Sequence, residues 1–227
     1  MARVSVTSIE PVAQTETVVS ATQRVVSELR TLIIQGKLPP GEKLKVESLK
    51  TLLNTGASPI REALSLLTSD QLVERVDQRG FRVAPVSADH FREILMLRCK
   101  LEDIALRGSI ELGDTVWEEN LVLAHHRITK ASRKHVDQWE QLHKAFHMSL
   151  LAACGSPILL RFCDQLYDLN IRYRYLAGKS VSYSKRNVAK EHQTILQAAV
   201  ERDAEAAVQH LMEHYTLTGE FLADQFD

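Results

Sequence analysis

From Ser87 onward the sequence shows no alternation of apolar and polar residues at period two; its apolar positions recur at spacings of three and four. That pattern commits the longer part of the chain to helices. Six helical stretches are predicted, at about 88–111, 114–134, 136–154, 157–178, 184–201 and 203–223. Their breaks fall at Gly113-Asp114, His135, Gly155-Ser156-Pro157, the segment from Gly178 to Ser184, and Arg202-Asp203. Connections that short make neighbouring helices antiparallel, so residues 87–227 are expected to form a helical bundle.

The residues before this point have another character. Residues 1–16 carry Pro11, several Ser and Thr and no helical period, and are expected to be a flexible arm. From about Thr17 to Gln35, Val25, Val26, Leu29, Leu32 and Ile33 mark a first helix, stopped by Gly36 and the rigid Leu38-Pro39-Pro40-Gly41 turn. A second helix follows from about Val46 to Leu53, and Asn54-Thr55-Gly56-Ala57 turns the chain into a third. There Ser58 is the expected N-cap and Pro59 the first helical residue, with Ile60, Ala63, Leu64 and Leu67 on one buried face and Arg61 pointing outward. Helix, short turn, helix is the helix-turn-helix unit. After Asp70 the period becomes two: Leu72–Val76 and Phe81–Ala84 flank Asp77-Gln78-Arg79-Gly80, a hairpin that adds a wing. The expected fold is therefore mainly α, with a winged helix-turn-helix over residues 17–86 and an all-helical bundle after it.

Composition narrows the function. Residues 20–86 hold ten Lys or Arg against seven Asp or Glu, whereas the whole chain carries a net charge of −1. A local basic excess permits nucleic-acid contact without making the protein basic throughout. Lys45, Lys50, Arg61 and Arg79 are the cationic candidates. Ser58 at the head of the third helix and Gln78 and Gly80 at the wing tip complete the expected DNA-binding set. No apolar run approaches the length of a membrane span and no leader pattern opens the chain, which points to the cytoplasm. Cys99, Cys154 and Cys163 form no CxxC pair and read as reduced core residues.

Four of the nine histidines lie on inward stripes of the bundle helices. His143 and His147 are one turn apart on the face that includes Trp139, Leu150 and Leu151; His192 shares a stripe with Ile195 and Ala199, and His214 one with Ala207 and Leu211. Two readings stay open at this point. The imidazoles are hydrogen-bonded core residues, or they converge as ligands for Zn²⁺ or a neighbouring transition metal. His210 competes with His214 but sits at the edge of the apolar arc. His90, His125, His126 and His135 read as surface or packing residues. Among nearby polar side chains, Arg98 sits amid Leu95, Leu97, Leu101 and Ile104 and is the arginine expected near the interior, placed to clamp a carboxylate. Arg172 and Arg174 read as surface salt-bridge residues.

Residues 20–86 resemble the winged helix-turn-helix of GntR-type bacterial transcription regulators. The resemblance rests on Leu38-Pro39-Pro40-Gly41-Glu42-Lys43-Leu44, on Ser58-Pro59-Ile60-Arg61-Glu62-Ala63-Leu64, and on Gly80-Phe81-Arg82-Val83. Residues 88–222 resemble the FCD effector domain of that family's FadR-like branch, through Phe146-His147, Glu191-His192 and Met212-Glu213-His214. The resemblance implies a homodimer on a double-stranded operator, released or rearranged by a small organic acid, with a divalent metal held by an acidic residue and three histidines. By position those ligands are His143, His147, His192 and His214. His143 stands where most members have aspartate, and an all-imidazole set favours Zn²⁺ or Ni²⁺ over harder ions. Ala57 stands where many members have arginine.

The expected function is thus a metabolite-responsive regulator, a repressor, and not an enzyme. A metal-dependent helical-bundle enzyme and a metal or acid sensor that reads out to another protein are the rival readings. Four imidazoles leave a metal little room for an activated water, and an enzyme has no need of the first 86 residues.

Overall fold

The computed structural model describes residues 20–177, 187–223 and 225–226. The expected arm over residues 1–16 lies outside them. Helix α1 (Ala21–Ile34) starts at a capping box in which the Ser20 hydroxyl accepts from the Gln23 amide and the Gln23 side chain accepts from the Ser20 amide. Strand β1 (Lys43–Leu44), α2 (Val46–Leu53), α3 (Ala57–Ser69), β2 (Val73–Val76) and β3 (Gly80–Val83) follow. The strands make one antiparallel sheet in the order β1-β3-β2, with Lys43 opposite Arg82 and Glu74 on that residue's other side. β1 was not predicted: two residues are too short to show a period, and only the docking of the post-proline segment on β3 makes them a strand.

The start of α3 differs from expectation. Its N-cap is Gly56, in extended conformation, and not Ser58. Ala57 and Ser58 are already helical, which moves Pro59 to the third helical position. Proline is tolerated there because the amides of the first turn have no intrahelical partner to lose. The buried face is as predicted, with Ile60, Ala63, Leu64 and Leu67 all within the core. In the wing, Gln78 and Gly80 have φ of 56° and 89°, and the left-handed backbone at glycine closes the turn onto Val76.

The bundle comprises α4 (Ala88–Leu112), α5 (Thr115–Lys130), α6 (Val136–Leu151), α7 (Pro157–Ala177), α8 (Val188–Val200) and α9 (Ala204–Ala223). Ser87, Asp114 and Asn187 cap α4, α5 and α8 with their side chains. Helices α5 and α6 stop a few residues short of the predicted limits because Ala131 turns extended and Ala152 caps α6. Of the three cysteines Cys163 is buried, while Cys99 and Cys154 are half-buried; all are free thiols. Among the described residues no helix is long and apolar enough to cross a membrane.

The boundary near residue 87 is not a gap in packing. One apolar cluster runs from Leu29, Ile60 and Leu67 of the first unit into Phe91, Ile94, Leu169 and Tyr173 of the bundle. A second cluster, including Leu106, Leu121, Phe146, Leu150, Ile195 and Leu211, fills the bundle itself. Helix α7 touches both. Its Asp168 receives Arg30 Nη1 of α1 at 3.1 Å, and its Arg172 donates Nη2 to the Ala84 carbonyl at 2.5 Å. The Tyr173 hydroxyl accepts the Ser87 amide at 3.4 Å. Because Leu169 belongs to the shared cluster, Leu169→Ala is expected to lower the free energy of denaturant unfolding by about 2–5 kcal/mol. A change under about 1 kcal/mol would show that the join contributes little to stability.

Candidate metal centre and nucleic-acid face

The four predicted histidines meet inside the bundle. His143 and His147 come from α6, His192 from α8 and His214 from α9, and all four are buried. One nitrogen or more from each lies within 4.8 Å of the others. His143 Nε2 and His147 Nε2 are 3.1 Å apart. Two ligands each 2.0–2.1 Å from a tetrahedral ion lie roughly 3.3–3.4 Å apart, so this pair has the spacing of ligands. The widest separation exceeds that spacing, and an outlying imidazole must turn inward to ligate. His192 Nε2 is buried with no hydrogen-bond partner among the described residues, which is the state of a ligand atom awaiting an ion. His210 lies outside the group, half-exposed and 3.8 Å from Glu213.

Burial is the main reason that His143, His147 and His192 are neutral. It pushes His143 and His147 well below the ordinary value of 6.5, with neighbouring imidazoles and arginines adding to the effect, and it takes His192 down to about 2. Neutral imidazole is the form that binds metal. The other ring nitrogens are anchored: His143 Nδ1 to the Tyr167 hydroxyl at 2.6 Å, His147 Nδ1 to the Tyr215 hydroxyl at 2.9 Å, His214 Nδ1 to Glu191 Oε2 at 2.7 Å. Such contacts orient the rings and select the nitrogen that faces inward.

Arg98 is buried beside this group, as predicted. Its Nε donates to Glu102 Oε1 at 2.7 Å and its Nη1 to Asn170 Oδ1 at 3.0 Å, and its guanidinium lies 4.2 Å from the Tyr215 ring centroid. Its Nη2 is buried without a partner. A cavity of about 20 Å³ opens here, lined by Arg98, Arg174, His143, His214 and Thr218 among others.

Two arginines expected at the surface are inside. Arg172 is almost wholly buried against Ala84, and Arg174 reaches His143 Nδ1 at 3.2 Å and Glu140 Oε1 at 2.7 Å. A one-face stripe argument fails for α7 because every residue from Tyr167 to Tyr173 is buried, between the bundle on one side and α1 on the other. Glu140 and Tyr215 are not singled out by the sequence reading, and Tyr167 enters it only as a polar residue near the histidine stripes, without an orienting role. For Glu140 a signal existed, since Glu140-Gln141-Leu142-His143 puts a carboxylate one helical turn before a histidine. The tyrosines carry no such mark. His125, expected at the surface or in packing, is buried against Phe146, with ring centroids 5.5 Å apart.

On the other unit, Lys45, Ser58, Arg61, Gln78, Arg79 and Gly80 are all exposed. Arg61, the fifth residue of α3, makes no hydrogen bond or ion pair among the described residues. Lys50 is half-buried and tied to Glu47 at 2.8 Å, so it is less available than the other cations.

A winged helix-turn-helix carried on an all-helical bundle is the architecture of a two-domain bacterial regulator. The model of bacterial regulatory proteins of the gntR family matches residues 21–83, the FCD domain model matches residues 93–217, and the chain belongs to the GntR family. It is 36% identical to the HTH-type transcriptional regulator BphR of Paraburkholderia xenovorans, over 90% of this chain and 84% of that one. It is 34% identical to the HTH-type transcriptional repressor GlaR of Escherichia coli, over 84% of this chain and 90% of that one. The fold is similar to that of E. coli McbR/YncC, with a TM-score of 0.81 at 23% identity, covering 92% of this chain and 100% of that one. The protein is a transcriptional regulator and not an enzyme.

The buried imidazoles make a prediction for the chelator-treated protein. In the unfolded chain they take up protons below about pH 6.5, while in the folded chain His143, His147 and His192 stay neutral far lower. The unfolded state then binds more protons, so stability is full above that pH and falls as the pH drops through it. Unfolding midpoints should decline from about pH 7 to about pH 5, and His147→Gln should flatten the decline. A variant as steep as the wild type would remove His147 from the effect.

Proposed function

We propose that this protein is a metabolite-responsive repressor that binds a palindromic double-stranded operator as a homodimer in the cytoplasm. In this reading a small organic acid and a divalent transition metal, Zn²⁺ or Ni²⁺, occupy the bundle. The single observation that carries the proposal is the convergence of His143, His147, His192 and His214, anchored by Tyr167, Tyr215 and Glu191, beside the buried guanidinium of Arg98. Two relatives, GlaR and RspR of E. coli, are named repressors.

Each subunit would set α3 in a major groove, with Arg61 on base edges or phosphate and Arg79 of the wing on the adjacent backbone. Glycine at position 80 leaves the wing tip slim enough for close approach. In the bundle the four imidazoles would hold the ion, which when bound supplies a Lewis-acid anchor for one carboxylate oxygen. Arg98 would supply directional hydrogen bonds to the acid from Nη2, while Glu102 and Asn170 keep its plane fixed. The acid lowers operator affinity only by its preference for one arrangement of the two units. Asp168 offers a route, since it pairs with Arg30 of α1 and with Lys144, the residue after His143, at 2.6 Å.

Gel-shift against fragmented genomic DNA should retain short palindromes, and Arg61→Ala should abolish that selectivity with metal content unchanged. Equal retention by the variant would take α3 out of its role. His147→Ala and His192→Ala should each lose metal by elemental analysis, with affinity down at least about tenfold. Full stoichiometry in both would remove the proposed centre.

A further inference from the structure

One of the four clustered histidines is stacked on an indole. The His143 ring centroid lies 4.8 Å from that of Trp139, with 17° between the two planes. The other three rings meet only imidazole, phenol and phenyl groups among the described residues. Trp139 precedes His143 by four residues on α6, which puts it one turn away on the same face.

The hydrogen bonds of His143 do not explain its orientation by themselves. The Tyr167 hydroxyl, 2.6 Å from Nδ1, can accept the proton there and leave the Nε2 lone pair for an ion. That contact fixes one point of the ring. An imidazole held at one point still swings about it, and the swing carries Nε2 out of line with His147 Nε2, 3.1 Å away. A flat ring lying against the imidazole removes this freedom. The indole is in turn held in place: it is half-buried against the core cluster of the bundle, and the guanidinium carbons of Arg133 and Arg174 lie over it, 5.0 and 5.7 Å from its centroid.

Ligation adds a second effect. An imidazole that gives its lone pair to a dication takes on positive charge, and indole is the aromatic side chain whose face attracts a cation most strongly. The stack is therefore stronger with the ion than without it. A contact that favours the loaded state over the empty one raises affinity for the ion by that difference.

We propose that Trp139 is the positioning residue for His143: its indole lies flat on the imidazole, sets the plane that points Nε2 into the cluster, and tightens the hold on the metal. The inference rests on the reading of the four histidines as a metal centre.

The test uses full-length, chelator-treated protein titrated with Zn²⁺ against a chromophoric competitor. Wild type should take up one equivalent; no uptake would overturn the metal centre on which the inference rests. Trp139→Leu, which keeps an apolar side chain but has no ring, should bind zinc about tenfold more weakly, and Trp139→Phe should recover most of the loss. Full affinity in Trp139→Leu, or an equal loss in both variants, overturns the stacking role. The same replacement made in His143→Asp separates positioning from general packing, because a carboxylate ligand has no ring to stack. Trp139→Leu should cost that background less than about twofold, and a tenfold loss in both backgrounds would show a merely structural role. Should Trp139→Leu fold poorly or His143→Asp take up no zinc, the indole N–H resonance of Trp139 in the wild type decides. It is expected to shift when one equivalent of zinc binds, and a resonance that stays in place overturns the proposal.

Discussion

The structure depends on the burial of α7. From Tyr167 to Tyr173 this helix is covered on every face and cannot leave a polar side chain to water, yet it carries Tyr167, Asp168, Asn170, Arg172 and Tyr173 there, with Arg174 next in line. Each must be paired within the protein or cost several kcal/mol. The partners lie in different places: Tyr167 and Arg174 at His143, Asn170 at Arg98, Asp168 at Arg30 and Lys144, Arg172 and Tyr173 at the segment joining β3 to α4. One helix therefore holds the histidine centre and the DNA-binding unit in a fixed relation.

That relation explains why the two units share a core. Here Lys144 follows His143 directly on α6 and meets Asp168, which meets Arg30 on α1, while Tyr167 lies one residue from Asp168. Asp168 is buried between two cations, so a shift of either is felt by the other. The α1 helix in turn packs against α3, the helix that presents Arg61.

The electrostatics of the centre are set by what surrounds it. Burial with mutual proximity lowers the pKa of His143, His147 and His192 and holds these three rings neutral. Glu102 and Glu140 each neutralise an arginine beside them, at 2.7 Å in both cases. The interior so formed sets the buried His192 Nε2 and Arg98 Nη2 within one enclosed polar cluster.

Periodicity alone was enough for the two-unit plan, the helix-turn-helix with its wing, and the four histidines, because each rests on a local rule: one residue in three or four faces inward on a helix, one in two on a strand. Gly36 shows the same for a helix end, whereas α8, expected from residue 184, begins at Val188 behind its Asn187 cap. Such rules assume one buried face per helix. They fail where a helix is enclosed, and so Arg172 and Arg174 were placed at the surface. The two-residue strand β1 and the tyrosines Tyr167 and Tyr215 that orient the histidines depend on segments distant in sequence. Docking on β3 decided the strand and packing within the bundle decided the tyrosines, since a group's surroundings are a property of the assembled chain and not of its neighbours along it.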